Sequence, residues 1–360
     1  MRGPHGNRPV RRRWPSALVA AALAVPILSG CSSSNQDTTA PAAGAPGVAA
    51  VAPATAHPPA GTVLATAPIA AVLSEPASGR VVMLDADGRG VRVLDPATGA
   101  VRAVGLPATT SWALGAPGEI LLAAGTQVLH LDPAAATVRT TPVDAPVRAL
   151  TRRPDGTTAL ALDGGKVEIR TLDDQPQDLK VEIRDTKGNV VRDTVTGLGA
   201  IDAIAAAGDA LAVLDRDQTT LTQLDLATHR PGLSLRAGQG TVGLISDHFG
   251  RLLATDTSGG ALLVYTADPL VLRQRFPVGS SPYALAYDRS TETVWVTLTG
   301  SNEVVGYDLS KGIPEEVGRF ATVRQPNSVT IDERTGEMFV GSATGDGLER
   351  IGADQRKRGQ

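Results

Sequence analysis

A strand that ends in an acidic or polar residue and runs straight into a turn recurs along this chain. It appears in "VRVLDPATG" (Asp95), "VLHLDPAAA" (Asp132), "VEIRTLDD" (Thr171), "LTQLDLATH" (Asp225), "LLVYTADP" (Thr266) and "VVGYDLSKG" (Asp308). The steps between these landmarks are 37, 39, 54, 41 and 42 residues. A period of about 42 residues, built from short β-rich runs, is the spacing of four-stranded propeller blades. Between the landmarks, Val-, Leu- and Thr-rich runs are broken by Asp-Gly, Thr-Gly or Gly-Gly, and no long amphipathic helix interrupts them. The expected fold class is all-β: a seven-bladed β-propeller of four-stranded antiparallel blades over residues 61–352. Its inner strands should begin near Pro68, Ser111, Pro146, Ile201, Thr241, Pro282 and Pro326.

The long step of 54 residues coincides with a duplication, because "KVEIR" occurs at 166–170 and again at 180–184. An extra or extended hairpin in the third blade is the expectation there, with chance recurrence of a β-rich pentapeptide as the alternative. Aromatic residues make up only 3% of the chain, so the blades must pack through Val, Leu, Ile and Ala. The last blade shows three strands before the polar tail "ADQRKRGQ" (353–360), and an open ring would leave strand edges exposed. The stretch "GTVLAT" (61–66) precedes blade one without a partner in it, and it is expected to supply the missing outer strand of blade seven.

The chain ahead of the repeats has a different character. Five arginines and no acid occupy the first thirteen residues, and an apolar run (14–28) follows, which is the form of an export signal. With 15 residues and two prolines, that run falls short of the roughly 20 that span a bilayer. It ends in Leu28-Ser29-Gly30-Cys31, which resembles the lipobox of bacterial lipoproteins. The resemblance implies that residues 1–30 are removed and that the Cys31 thiol carries lipid. Cys31 is the single cysteine of 360 residues, which excludes an intrachain disulfide. Without residues 1–30, 29 Lys and Arg stand against 37 acids, a net charge of −8. That balance argues against nucleic acid as a partner and against electrostatic membrane binding, leaving acyl chains as the membrane contact. Residues 31–60 are rich in Ala, Pro, Gly, Ser and Thr, too poor in apolar surface to order themselves, and read as a semi-extended, disordered tether. The Ala, Gly, Arg and Pro bias suggests a GC-rich source of the actinobacterial kind.

Blade six is the sharpest repeat. Val294-Trp295-Val296-Thr297, then Gly300-Ser301-Asn302, then Val304 to Asp308, resembles the YVTN-type propeller repeat, and "PNSVTIDERTGEMFVGS" (326–342) repeats its opening half. Aligning the blades on their inner-strand apolar residue places Ala70, Trp112, Arg148, Asp202, Val242, Tyr283 and Asn327 at the mouth of the central channel. Of these, Trp112, Arg148, Asp202, Tyr283 and Asn327 are the candidate ligand-binding residues, with a channel plug as the plainer alternative. The fold also resembles gluconolactonase-like propellers, which implies a divalent metal held by about six oxygens. Here the ring offers only Asp202 and Asn327. Quinoprotein propellers are similar in outline, but no cofactor constellation is evident, and no cofactor is expected.

Other motifs fail on context. "GQGTVG" (238–243) reads as an inter-blade loop because a strand, not a helix, follows it. "DADGRG" (85–90) lacks the closing Glu of a calcium loop and reads as a hairpin turn. The five histidines show no metal-ligand spacing, and no G-x-S-x-G nucleophile elbow occurs. The expectation is a membrane-anchored extracytoplasmic lipoprotein whose propeller binds a protein, peptide or envelope glycan. A metal-dependent small-molecule hydrolase is the alternative, and the oligomeric state is left open.

Overall fold

The computed structural model describes residues 46–172 and 193–358. Cys31, the signal expected at 1–30 and the second KVEIR copy lie outside the described residues. Within them the chain forms seven four-stranded antiparallel sheets arranged as a propeller. The inner strands are Ile69–Glu75, Ser111–Leu114, Val147–Arg152, Ala203–Ala207, Thr241–Ser246, Pro282–Asp288 and Pro326–Asp332. Each lies within a few residues of its expected start.

The repeating acids have a physical reason. After the third strand of a blade, the carboxylate accepts a backbone N–H from the turn that leads to the outer strand. Asp95 takes that of Ala97 (3.0 Å), Asp132 that of Ala135 (2.9 Å), Asp225 that of Ala227 (3.1 Å) and Asp308 that of Ser310 (2.7 Å). These are Asx turns, in which a short acid mimics a backbone acceptor. The bonds from Thr228 to Asp225, and from Ser310 to Asp308, hold those carboxyls below the usual range.

Blade seven closes as the sequence suggests. Its strands Pro326–Asp332, Glu337–Ser342 and Leu348–Ile351 are completed by Thr62–Leu64 from the start of the domain, with Thr62 opposite Arg350 and Leu64 opposite Leu348. Gly61 reinforces the join by donating its N–H to the buried Glu349 carboxylate (2.8 Å).

Among the described residues, buried apolar side chains fall into seven clusters, one between each pair of neighbouring blades. The cluster of Ile69, Val72, Val81, Met83 and Leu94 with Phe339 and Leu348 joins blade one to blade seven. Middle strands such as Ile120–Ala124 and Thr293–Leu298 are buried along their whole length because a neighbouring blade covers each face. Outer strands such as Thr137–Pro142 alternate or stay exposed. Each fully buried Val, Leu or Ile contributes about 1.5–3 kcal/mol, so many small aliphatic contacts replace the aromatic wedges this chain lacks. Trp295, Tyr265 and Phe339 are the largest buried exceptions.

After Ile351 the chain forms a short helix, Ala353–Arg358, where the sequence suggested only a polar tail. Arg356 on this helix is buried. It reaches Asp288 at 2.6 Å, donates to the Gly336 carbonyl and lies 5.4 Å from the centre of the Trp295 ring. Among the described residues no helix is long and apolar enough to cross a membrane.

Candidate functional site

On one face of the propeller, each outer strand hands over to the next blade's inner strand. This mouth face also carries the turns between second and third strands. Pairing registers show why the ring positions read from the sequence belong here. The inner strands slip register between Ile69 and Ala71, Val147 and Ala149, Thr241 and Gly243, Pro282 and Leu285, and Pro326 and Ser328. The residues left unpaired include Ala70, Arg148, Val242, Tyr283 and Asn327. A bulge at that point frees one residue from the ladder and re-aims its side chain. Trp112, in contrast, pairs directly with Leu122, and Asp202 sits just ahead of its strand.

The structure distributes the five candidates over different surroundings. Trp112 is half-buried against the core between blades one and two, alongside Leu122 and Val104. Arg148 and Asp202 come together. Both are exposed, and both line a cleft of about 520 Å³ between blades three and four, together with Asp163, Asp217 and the 198–201 loop. There the Arg148 guanidinium pairs with Asp163, while Asp202 accepts the Arg216 N–H (2.8 Å). Tyr283 is half-buried, and its carbonyl accepts the Thr255 hydroxyl (2.7 Å). Asn327 accepts from the Gln325 side-chain amide (3.1 Å). Asp202 and Asn327, the oxygens a metal site would need, are thus already engaged. Asp163, Asp202 and Asp217 share the cleft, but among the described residues no group of three His, Cys, Asp or Glu is placed to hold a metal ion.

The other half of the face carries a feature the sequence did not signal. Residues 46–60 belong to the stretch read as tether, and part of them lies on blades five to seven. Ala50 donates its N–H to Ser281 Oγ (2.9 Å), and its carbonyl accepts from Gln325 Nε2 (2.9 Å). Ala52 donates to Gln325 Oε1 (2.8 Å), and its carbonyl accepts from Arg324 Nε (3.3 Å) and Nη2 (3.2 Å). The Pro53 carbonyl accepts from Asn302 Nδ2 (3.0 Å). One glutamine side chain therefore serves two main-chain groups of the same extended segment. Its orientation is fixed by its further bond to Asn327, and Asn302 is fixed by accepting the Gln325 N–H (2.9 Å).

Size decides the rest of the fit. Ala52 is 2% exposed, whereas Val48 and Val51 are 80% and 86% exposed, so small residues face the propeller and the larger ones face solvent. A Cβ on Gly47 would fall on the Gly240 carbonyl oxygen. Three of the contacting residues, Ser281, Asn302 and Gln325, have left-handed φ values of 56°, 56° and 54°. That region is unfavourable for residues other than glycine and is retained only where the surroundings enforce it. The sequence offered partial signals: Asn302 closes the quoted Gly-Ser-Asn of blade six, and Ser281 and Gln325 each precede a blade-opening proline.

With this geometry in hand, the likeness to known proteins can be stated. No protein-family model matches the sequence, and no curated protein matches it. Solved propellers match in shape. The β-propeller domain of Myceliophteria thermophila Cps50 (Swd1) superposes with a TM-score of 0.63 at 16% identity, covering 81% of this chain and 99% of that one. A streptogramin B lyase gives 0.61 at 13% identity over 81% of this chain and 96% of the lyase. A chain of the mitotic checkpoint complex gives 0.60 at 12% identity, over 94% and 98%. At these identities the likeness establishes the fold, and the chain is a seven-bladed β-propeller.

Proposed function

We propose that this protein is an extracytoplasmic binding or scaffolding module, a propeller of the YVTN type held to the membrane by acyl chains on Cys31, which captures a protein or peptide at its mouth face. The observation that carries the reading is the set of Ser281, Asn302, Arg324 and Gln325, whose side chains hold five main-chain groups between Ala50 and Pro53. A surface that binds backbone by directed hydrogen bonds is built for polypeptide. One of the similar folds is a chain of a protein assembly, the mitotic checkpoint complex. The anchor follows from the lipobox-like Leu28-Ser29-Gly30-Cys31.

Two measurements test this. Replacing Cys31 by Ser should move the protein from the detergent phase to the aqueous phase, and unchanged partitioning would refute the anchor. Capture from an envelope extract by wild type and by an Arg148→Ala/Gln325→Ala double variant, both confirmed folded, tests the face. A specific partner should fall at least tenfold in yield with the variant. Equal yield would move the working surface away from the mouth.

A further inference from the structure

The segment on blades five to seven is held in a way that does not depend on its being attached. Every polar contact it makes is to its main chain, and the groups that hold it are set by their own neighbours. Thr299 donates to Ser281 Oγ (2.8 Å), and Asn302 accepts the Gln325 N–H. Asn327 accepts from the Gln325 amide, and Ser342 donates to the Arg324 carbonyl (2.7 Å). The propeller itself thus orients Ser281, Asn302 and Gln325, while the Arg324 guanidinium donates to the segment. The link that follows, residues 54–58, is exposed throughout, so nothing buried there would resist the segment leaving.

Main-chain recognition tolerates many sequences, and selectivity has to come from size. Gly47 admits no Cβ against Gly240, and Ala52 is enclosed. Positions 48 and 51 face solvent and are unrestricted. Pro53 biases Ala52 toward the extended conformation that the Gln325 amide requires.

We propose that the groove across blades five to seven is a binding site for extended peptides of the pattern Gly-x-x-x-x-Ala-Pro, filled in the resting chain by its own residues 47–53 and given over to a matching segment of a partner protein. This rests on the mouth face being the working surface. The chain's own segment then acts as a tethered competitor, which sets a threshold of partner concentration or affinity for occupancy.

The test uses the full chain and a fluorescein-labelled peptide, GVAAVAPAT, corresponding to residues 47–55. An Ala52→Arg variant places a side chain too large for the enclosed position, and pairing it with Val51→Lys at the solvent-facing position supplies a trypsin site that reports release, with Val51→Lys alone as the protected control. The paired variant should be cut after position 51 while the propeller stays intact. By anisotropy, the peptide should bind it at least tenfold more tightly than it binds wild type. Adding Gln325→Ala should cost a further tenfold or more, and a peptide carrying Arg at the position of Ala52 should bind neither protein. Protection of the variant from trypsin would overturn the size limit. A cleaved variant that binds no peptide, or binds it no better than wild type, would overturn the exchange. Either result leaves the capture experiment with Arg148→Ala/Gln325→Ala standing on its own. Loss of capture without peptide binding would place the partner on the blade three to four half of the face.

Discussion

Arg356 provides the most quantitative test of how this propeller is held together. Its guanidinium is 6% exposed and meets Asp288, itself 1% exposed, at 2.6 Å, with the Trp295 ring 5.4 Å away. The pair ties the C-terminal helix to the turn after the inner strand of blade six. Removing one partner of a buried pair costs about 3–5 kcal/mol because the other charge is stranded. Asp288 would keep the Ser290 hydroxyl (2.7 Å) and N–H (3.0 Å), which places its share at the lower end. Loss of the contact with the Trp295 face adds about 1 kcal/mol. Arg356→Ala should therefore lose about 4 kcal/mol, or roughly 10 °C in Tm for a domain of this size. Urea denaturation followed by Trp fluorescence is the assay, with Trp295 as a local reporter. In a double-mutant cycle with Asp288→Asn, the coupling should be about 3 kcal/mol. Burial raises the Asp288 pKa, but the Ser290 and Arg356 hydrogen bonds outweigh it and leave the carboxyl below its usual value. Its stabilisation is thus present near neutrality and is lost as the pH falls through that lowered value. The penalty of Arg356→Ala should shrink in acid, where the stranded carboxylate takes up a proton. A loss under 1 kcal/mol at pH 7, or coupling near zero, would refute the reasoning.

Two further outcomes concern ring closure. Burial pushes the Glu349 carboxyl up to about 7, against the pull of the N–H groups of Gly61, Val323 and Ala60. An acid raised in the folded state stabilises below its unfolded pKa and loses that contribution as the pH rises through the folded value. Wild type should lose about 3 kcal/mol between pH 4.5 and pH 8, and Glu349→Gln should be flat over that window. A parallel slope in the variant, read by urea midpoints, would assign the effect to another group. Deleting residues 61–67 removes the three-residue outer strand and the Gly61 bond to Glu349, so stability should fall by about 4–6 kcal/mol from the lost ladder and the orphaned acceptor. Deleting 46–58 breaks the hydrogen bonds to Ala50, Ala52 and Pro53 but opens their partners to water, so it should cost about 1–2 kcal/mol, and equal losses in calorimetry would mean that the ring closes by other means.

What the sequence made legible was whatever repeats. Asp95, Asp132, Asp225 and Asp308 could be counted because each blade solves the same turn with the same short acceptor. The unpartnered 61–66 stretch identified closure because a propeller has a definite number of edges to cover. Aligning inner strands found five mouth positions without knowledge of the bulges, since the bulge recurs at the same place in five of the seven blades. Contacts made once were invisible. Arg356 finds Asp288 across 68 residues, and nothing in "ADQRKRGQ" marks one of its three basic residues as buried. Residues 47–53 were read as tether on sound grounds, for their apolar surface cannot order them. Main-chain hydrogen bonds do so instead, and those leave no trace in the sequence of the segment that receives them.

The trace lies in the residues that give those bonds. Left-handed backbone at Ser281, Asn302 and Gln325 costs each about 1 kcal/mol or more relative to glycine, which adopts φ near 55° freely. Eighteen other positions of positive φ in the described chain are glycines, so glycine is the ordinary solution of this fold. At these three it would relieve the backbone and delete the hydroxyl or amide that reaches Ala50, Ala52 or Pro53. Ala136, Thr219, His229 and Glu292 also adopt positive φ, so the strain alone marks no site; what sets these three apart is that their side chains reach the main chain of 50–53. Their contacts to 50–53, together with the Asn302–Gln325–Asn327 network behind them, are the return the structure offers for that strain. Substituting glycine at Asn302 separates the two effects. The propeller should lose less stability than Asn302→Ala, because the backbone relaxes, while amide exchange at Ala50 and Ala52 should rise equally in both variants. Unchanged exchange at those amides would show that the segment is held without Asn302.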